Sequence, residues 1–206
     1  MKRVVVLDYG SGNLRSAERA LARAGAEVTL TTDLAVAARA DGLVVPGVGA
    51  YAACMAGLEA VGAGRVIVDR VTAGAPVLGI CVGLQVLFDA GEEHGVVTKG
   101  LGLVPGTVAR LAAPVVPHMG WNTVVWPEAS VLGAGLDPAT RFYFVHSYAA
   151  RPAAARARTG IRVAVSEHGE PFIAAVEHGA LAATQFHPEK SGNAGATLLT
   201  NWIGML

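Results

Sequence analysis

The segment PVLGICVGLQ (76–85) puts Cys81 between Gly79 and Gly83, at the end of the short apolar run Pro76 to Ile80. A buried strand ending in Gly-x-Cys-x-Gly predicts a tight strand-to-helix turn that pushes the sulfur outward, a nucleophile elbow with cysteine in place of serine. Glycine is required two residues either side because a side chain there would crowd the turn. Leu84, Leu87 and Phe88 then read as the apolar stripe of a helix whose N-terminal end points at the sulfur and favours the thiolate. Taken alone, the same spacing suits a buried, inert cysteine on a glycine-rich turn equally well.

The flanking pattern sets the architecture. RVVVLD (3–8), EVTLTT (27–32) and GLVVPG (42–47) read as further strands and LAATQF (181–186) as a buried one. Helical patterns alternate with them, as in a parallel sheet covered on both faces. Leu14, Ala17, Leu21 and Ala24 share one helical face closed by Gly25, helix-like stretches occupy 50–60 and 64–73, and a last helix carries Leu198, Leu199, Trp202 and Ile203. From about 96 to 176 the short β-branched and aromatic runs between Gly and Pro predict antiparallel strands added to the sheet. The expectation is an α/β fold, an open, mostly parallel sheet with additional antiparallel strands. Without a repeat or a composition-biased linker, residues 1–206 read as one domain, and 52% hydrophobic residues supply its core.

Sixteen basic residues balance sixteen acidic ones, so the chain has no electrostatic footprint for nucleic acid or an anionic membrane. Cys54 and Cys81 make no disulfide framework and no CxxC metal pair, which fits a reducing, cytoplasmic setting. The apolar run Val4 to Leu7 is far too short for a signal-peptide core or a membrane span.

A cysteine nucleophile needs a base, and the base needs an orienting group. His187 in TQFHPEKS (184–191) is the candidate, with Glu189 on the same face of an extended segment and Pro188 stiffening it. A surface His-Pro-Glu turn is the competing reading of these residues. PGVGAY (46–51) follows the strand LVV, and its glycines let the N–H of Val48 or Gly49 approach a developing oxyanion, with the Val82 N–H as second donor. Such donors typically lower a barrier by about 3–4 kcal/mol. Gly47, Gly49 and Ala52 also spell the dinucleotide pattern G-x-G-x-x-A, but after the third strand rather than the first. DYGSGN (8–13) is weaker still, since Arg15 stands where the third glycine would be.

Cys81 in GICVGLQ with His187 and Glu189 in QFHPEKS resembles the class I glutamine amidotransferases. DYGSGNL (8–14), PGVGAY, GLGLVPGTV (100–108), PHMGWN (117–122) and FYFVHSY (142–148) extend the resemblance over nearly the whole chain, to the glutaminase subunits of imidazole glycerol phosphate synthases. Ala183 and Tyr51 are local departures, standing where glycine and phenylalanine are common. The resemblance implies that Cys81 attacks the glutamine carboxamide, with His187 and Glu189 completing the catalytic group. It implies that Gln85, Glu93 and the backbone of Ser147 and Tyr148 bind the substrate's α-amino acid end. For Glu93 a solvated loop carboxylate beside Glu92 is the alternative. No cofactor is implied. The implied partner is a (β/α)8-barrel cyclase subunit in a heterodimer that consumes ammonia in histidine biosynthesis, with Asn13, Met119, Trp121, Asn122, Tyr143 and Lys190 at the contact.

The remaining thiol and imidazoles read as structural. Cys54 lies on an apolar helical stretch as core filler, and His118 and His146 as packed or hydrogen-bonded strand residues. His94, His168 and His178 read as loop residues, and no cluster has metal-ligand spacing. Two other classes remain open, a different cysteine hydrolase on the same fold and a binding protein without activity.

Overall fold

Runs of β-branched and aliphatic residues too short for helices become the central strands, and alanine-rich stretches between them become helices. In the computed structural model, which describes residues 1–206, these are β1 (Arg3–Leu7), α1 (Leu14–Arg23), β2 (Glu27–Thr31), α2 (Leu34–Arg39) and β3 (Gly42–Gly47). Helices α3 (Tyr51–Ala60) and α4 (Ala63–Thr72) lead to β4 (Val77–Cys81) and the single turn α5 (Val82–Gln85). Then come β5 (Phe88–Glu93), β6 (Val96–Lys99), β7 (Val104–Arg110), β8 (His118–Thr123), β9 (Arg141–His146) and β10 (Tyr148–Ala150). The chain closes with α6 (Pro152–Ala157), β11 (Arg162–His168), β12 (Glu170–His178), β13 (Leu181–Thr184), a 3-10 turn at Pro188–Lys190 and α7 (Gly192–Ile203).

The central sheet has the order β11-β12-β13-β4-β3-β1-β2. Its five strands from β13 to β2 run parallel, and β12 and β11 are added antiparallel. Every residue of β3, β4 and β13 is buried, as expected for strands covered on both faces. They contribute to one continuous cluster of 50 buried apolar residues. In register, Gly47 lies beside Cys81 and Thr184 beside Ile80, so the carboxyl ends of β3, β4 and β13 meet at one edge. Open α/β sheets place their sites at such an edge.

Three expectations need correction. The 96–176 region does not simply extend the central sheet: β10-β7-β5-β6 form a second sheet and β8-β9 a separate antiparallel pair. The helix after Cys81 is one turn long, and Phe88 opens strand β5 instead of continuing it. Leu84, Leu87 and Phe88 are all buried, and a short apolar run satisfies burial in either geometry. Helix α2 was not anticipated, although Asp33 caps it by accepting from the N–H groups of Ala35 and Val36 at 2.8 and 3.2 Å. No single helix is long and apolar enough to cross a membrane.

Candidate active site

Cys81 joins β4 to α5 with φ 57 and ψ −113, backbone that a non-glycine residue adopts at a cost of roughly 1–3 kcal/mol. The surroundings enforce it. A Cβ on Gly83 would lie 1.8 Å from the Val45 carbonyl oxygen, and one on Gly79 would lie 2.5 Å from the Gly83 carbonyl oxygen. Gly47 is equally constrained, at 2.5 Å from the Gly83 nitrogen. That close approach of β3 to the elbow, not a nucleotide, accounts for the first glycine of the G-x-G-x-x-A pattern.

His187 is buried at the end of the segment after β13, and its N–H donates to the Tyr143 carbonyl at 2.9 Å, tying it to β9. Its Nδ1 is 2.7 Å from Glu189 Oε1. The pair forms because the chain turns into a 3-10 helix at Pro188–Lys190, bringing Glu189 back under the ring, and not because an extended strand aligns them. Burial pulls the imidazole pKa down. Interactions with Cys81 and Glu189 outweigh that effect and leave it raised to about 9. Glu189 Oε1 accepts a second hydrogen bond, from Asn13 Nδ2 at 2.8 Å. Asn13 is therefore turned inward as a support of Glu189.

Cys81 and His187 face a cavity of about 220 Å³ lined also by Val48, Gly49, Val82, Gln85, Glu93, Ser147 and Tyr148, with Val145, His146 and Lys190 completing its wall. This volume is below the roughly 300–1,000 Å³ of sites for drug-sized ligands and suits an amino acid. The Gln85 amide donates to the Tyr148 carbonyl at 2.9 Å and to Gln185 Oε1 at 3.0 Å. Glu93 Oε2 accepts from the Tyr51 N–H at 2.9 Å, capping α3 where Ala50 offers no side-chain cap. It is thus a fixed wall of the cavity, not the free loop carboxylate of the alternative reading. The Val82 N–H opens α5 and so has no acceptor earlier in that helix.

Two contributors escaped sequence reasoning. Gln185 Nε2 lies 3.8 Å from Cys81 Sγ, and Ser11 Oγ accepts from the Val48 N–H at 2.9 Å. Cys54, expected as filler, is buried in α3 but directs its Sγ to the Val48 carbonyl at 3.4 Å.

On the outer face of β8, Met119 and Trp121 are 63% and 53% exposed. Trp121 meets Tyr143 edge-on at 5.9 Å, and Lys190 Nζ sits 6.0 Å from the Tyr143 ring. These four expected contact residues therefore share one surface. Asn122 does not: strand alternation turns its amide inward, onto His118 and the Glu167 carbonyl. His118 and His146 are buried and bonded to each other, while His168 and His178 end β11 and β12 rather than lying in loops. His94 does occupy the turn between β5 and β6, at φ 52.

Residues 5–204 match the model of the family glutamine amidotransferase class-I. The imidazole glycerol phosphate synthase subunit HisH of Streptomyces avermitilis is 61% identical over 209 residues, covering 100% of this chain and 97% of that protein. The HisH subunit of Mycolicibacterium paratuberculosis is 62% identical over 208 residues, covering 100% and 98%. A crystal structure of a glutamine amidotransferase superposes with a TM-score of 0.76 over 98% of this chain and 97% of its own, and at 22% identity that likeness is one of fold. With the family model spanning nearly all of it and full-length relatives at about three-fifths identity, the chain belongs to the class I glutamine amidotransferases and, among them, to the HisH family.

Proposed function

We propose that this chain is the glutaminase subunit of an imidazole glycerol phosphate synthase, releasing ammonia from L-glutamine for histidine biosynthesis. The observation that carries the chemistry is the buried His187–Glu189 pair at 2.7 Å, facing Cys81 on its strained elbow. Cys81 attacks the carboxamide carbon of glutamine as the thiolate, its proton held on His187. The carbonyl becomes an oxyanion, received by the N–H of Val82 and of Gly49, because the Val48 N–H, the other expected donor, is engaged by Ser11 Oγ. As the C–N bond breaks, His187 protonates the leaving nitrogen, which departs as ammonia and leaves a glutamyl thioester. His187 then takes a proton from water, hydroxide attacks the thioester, and glutamate leaves with the thiol restored. Glu189, held by Asn13, keeps the Nδ1 proton on the ring and stabilises the imidazolium.

Gln85, Glu93, Ser147 and Tyr148 would bind the substrate's α-amino acid end. Ammonia released to solvent would be wasted, so a consumer must dock. The reading assigns that role to a (β/α)8-barrel cyclase subunit in a heterodimer, seated on the face of Met119, Trp121, Tyr143 and Lys190. A large exposed indole beside a tyrosine is the kind of anchor such contacts use. The place of work would be the cytoplasm, in keeping with two free thiols.

The test is glutamate release from glutamine by the chain alone and with the cyclase. Release in the complex, lost on Cys81→Ala, supports the reading. No release with either preparation overturns it, and release unchanged by Cys81→Ala removes the nucleophile. Another cysteine hydrolase on the same fold would leave the exposed Trp121 face without a purpose, and would show no dependence on the cyclase.

A further inference from the structure

Beneath the Trp121 face runs a continuous chain of hydrogen bonds that ends near the thiol. β8 and β9 place His118 directly opposite His146. His146 Nδ1 is 3.0 Å from the Tyr148 carbonyl oxygen, which can accept but not donate, so Nδ1 carries the proton and Nε2 accepts. That Nε2 is 3.0 Å from His118 Nδ1, which must then be protonated too. His118 Nε2 is left to accept from the Asn122 amide at 3.3 Å. Asn122 is pinned in this orientation, because its amide also donates to the Glu167 carbonyl and its oxygen accepts from the Thr123 N–H, both at 2.9 Å. The direction of donation is therefore fixed from end to end.

The Tyr148 carbonyl is the junction. It accepts from His146 and from Gln85, which also bonds Gln185, whose amide reaches Cys81 Sγ. Losing the His146 bond would leave one lone pair of this carbonyl unpaired, while the Leu111 N–H on the Ser147 carbonyl and the β10–β7 ladder still hold the strand. The carbonyl could then tilt, and Gln85 would lose the fixed direction of its acceptor. We infer that His118 and His146 are positioning residues for glutamine recognition, a doubly Nδ1-protonated pair that fixes the Tyr148 carbonyl and through it the Gln85 amide. The inference rests on glutamine being the substrate.

Packing alone does not explain the pair. His118 stacks on Phe144 and His168, and His146 packs against Phe172. Phenylalanine would fill both places, and only the hydrogen bonds require imidazole. Burial depresses both pKa values, to about 4 for His118 and about 3 for His146, so both rings are neutral at neutral pH.

Two measurements on the complex with the cyclase test this. Imidazole nitrogen NMR of the unmodified chain should find the Nδ1–H tautomer at both residues, and Nε2–H at either would overturn the inference. His146→Phe should raise KM for glutamine about tenfold with kcat within about threefold, the size expected for one buried hydrogen bond. His146→Asn, whose amide replaces the Nδ1–H, should recover most of that loss. An unchanged KM in His146→Phe, or no recovery in His146→Asn, overturns it. Should His146→Phe not fold, His146→Gln serves in its place, because its amide reaches the Nε2 position and leaves the carbonyl unpaired. Equal KM values for His146→Asn and His146→Gln would then overturn the inference. A complex with no glutaminase activity before substitution overturns the proposed function instead, and the tautomer measurement still decides the relay.

Discussion

The Val48 N–H donates to Ser11 Oγ at 2.9 Å, so it is already occupied and cannot also receive an oxyanion at Cys81. The next peptide is held as well, because the Val48 carbonyl accepts from Cys54 Sγ. Both peptide groups of Val48 are thus tied to the 8–13 loop and to α3. The Gly49 N–H, on the peptide whose carbonyl Cys54 holds, has no backbone partner, and Gly49 has φ +93, a conformation that glycine adopts without steric cost. If docking of a partner frees Val48, a second oxyanion donor appears only then. Ser11→Ala should mimic that release. One hydrogen bond is worth about 0.5–1.5 kcal/mol net, so glutamine hydrolysis by the isolated chain should rise about two- to tenfold. A fall in that rate would show that Ser11 supports the productive conformation instead.

Substitution of Cys81 separates the two half-reactions. Cys81→Ala should abolish synthesis from glutamine and leave synthesis from added ammonium salt intact, since only the ammonia source is lost. Glu189→Gln keeps a hydrogen-bond acceptor for Nδ1 but removes the charge that stabilises the imidazolium. Its glutamine-dependent kcat should fall less than that of His187→Ala, and steady-state kinetics of the three variants checks the order.

The two thiols should differ in reactivity toward a glutamine-like electrophile. Burial pushes the Cys54 thiol up, and its sulfur is engaged with the Val48 carbonyl. Cys81 lines the cavity that it shares with His187. Peptide mapping after alkylation of the folded chain should recover label on Cys81 and none on Cys54. Equal labelling would contradict the assignment of the cavity.

Acid should destabilise the chain through its paired imidazoles. Their folded pKa values, about 4 and about 3, lie below the unfolded value near 6.5, so the unfolded chain binds more protons. Their stabilising effect is complete above about pH 6.5 and is lost as pH falls toward 3. Coulombic repulsion from His118, His168 and His187 adds to the depression at His146. Each ring should contribute a slope of up to about 1.4 kcal/mol per pH unit in that window. Urea titrations between pH 6.5 and 4.5 should show a shallower slope for His146→Asn than for the unmodified chain. Parallel slopes would mean that the rings are protonated in the folded state.

The central parallel strands were legible because β3 and β4 are short, wholly apolar runs and β1 and β13 nearly so, and the burial of β3 and β4 follows from that composition. The elbow was legible because its glycines answer a local steric demand. Phe88 was misread because Leu84, Leu87 and Phe88 satisfy helical spacing while equally suiting a turn and a buried strand. Glu189 was paired with His187 for the wrong reason, since a 3-10 turn and a strand can both bring residues two apart together. Ser11, Asn13 and Gln185 meet their partners across 37, 176 and 104 positions of sequence, and nothing local records such contacts. Asn122 shows the same limit on a small scale, since a motif names its residues but only strand register tells which face each occupies.

Glycine substitutions can separate steric need from conformational need at the site. A Cβ on Gly83 would meet the Val45 carbonyl oxygen at 1.8 Å, and this is backbone of a central strand that cannot swing aside. Gly83→Ala must push α5 away from β3, displacing Val82 and the elbow together, a backbone overpacking that should cost at least about 3 kcal/mol and with it nearly all activity. At Gly49 nothing lies within 4 Å of an added Cβ, and only the φ of +93 opposes a side chain. Gly49→Ala should therefore cost about 1–2 kcal/mol of stability, the usual penalty for left-handed backbone. Thermal unfolding of the two variants, with glutamine-dependent activity measured alongside, checks the order. If Gly83→Ala melts no lower than Gly49→Ala, the close packing of α5 on β3 is not what holds Cys81 in place.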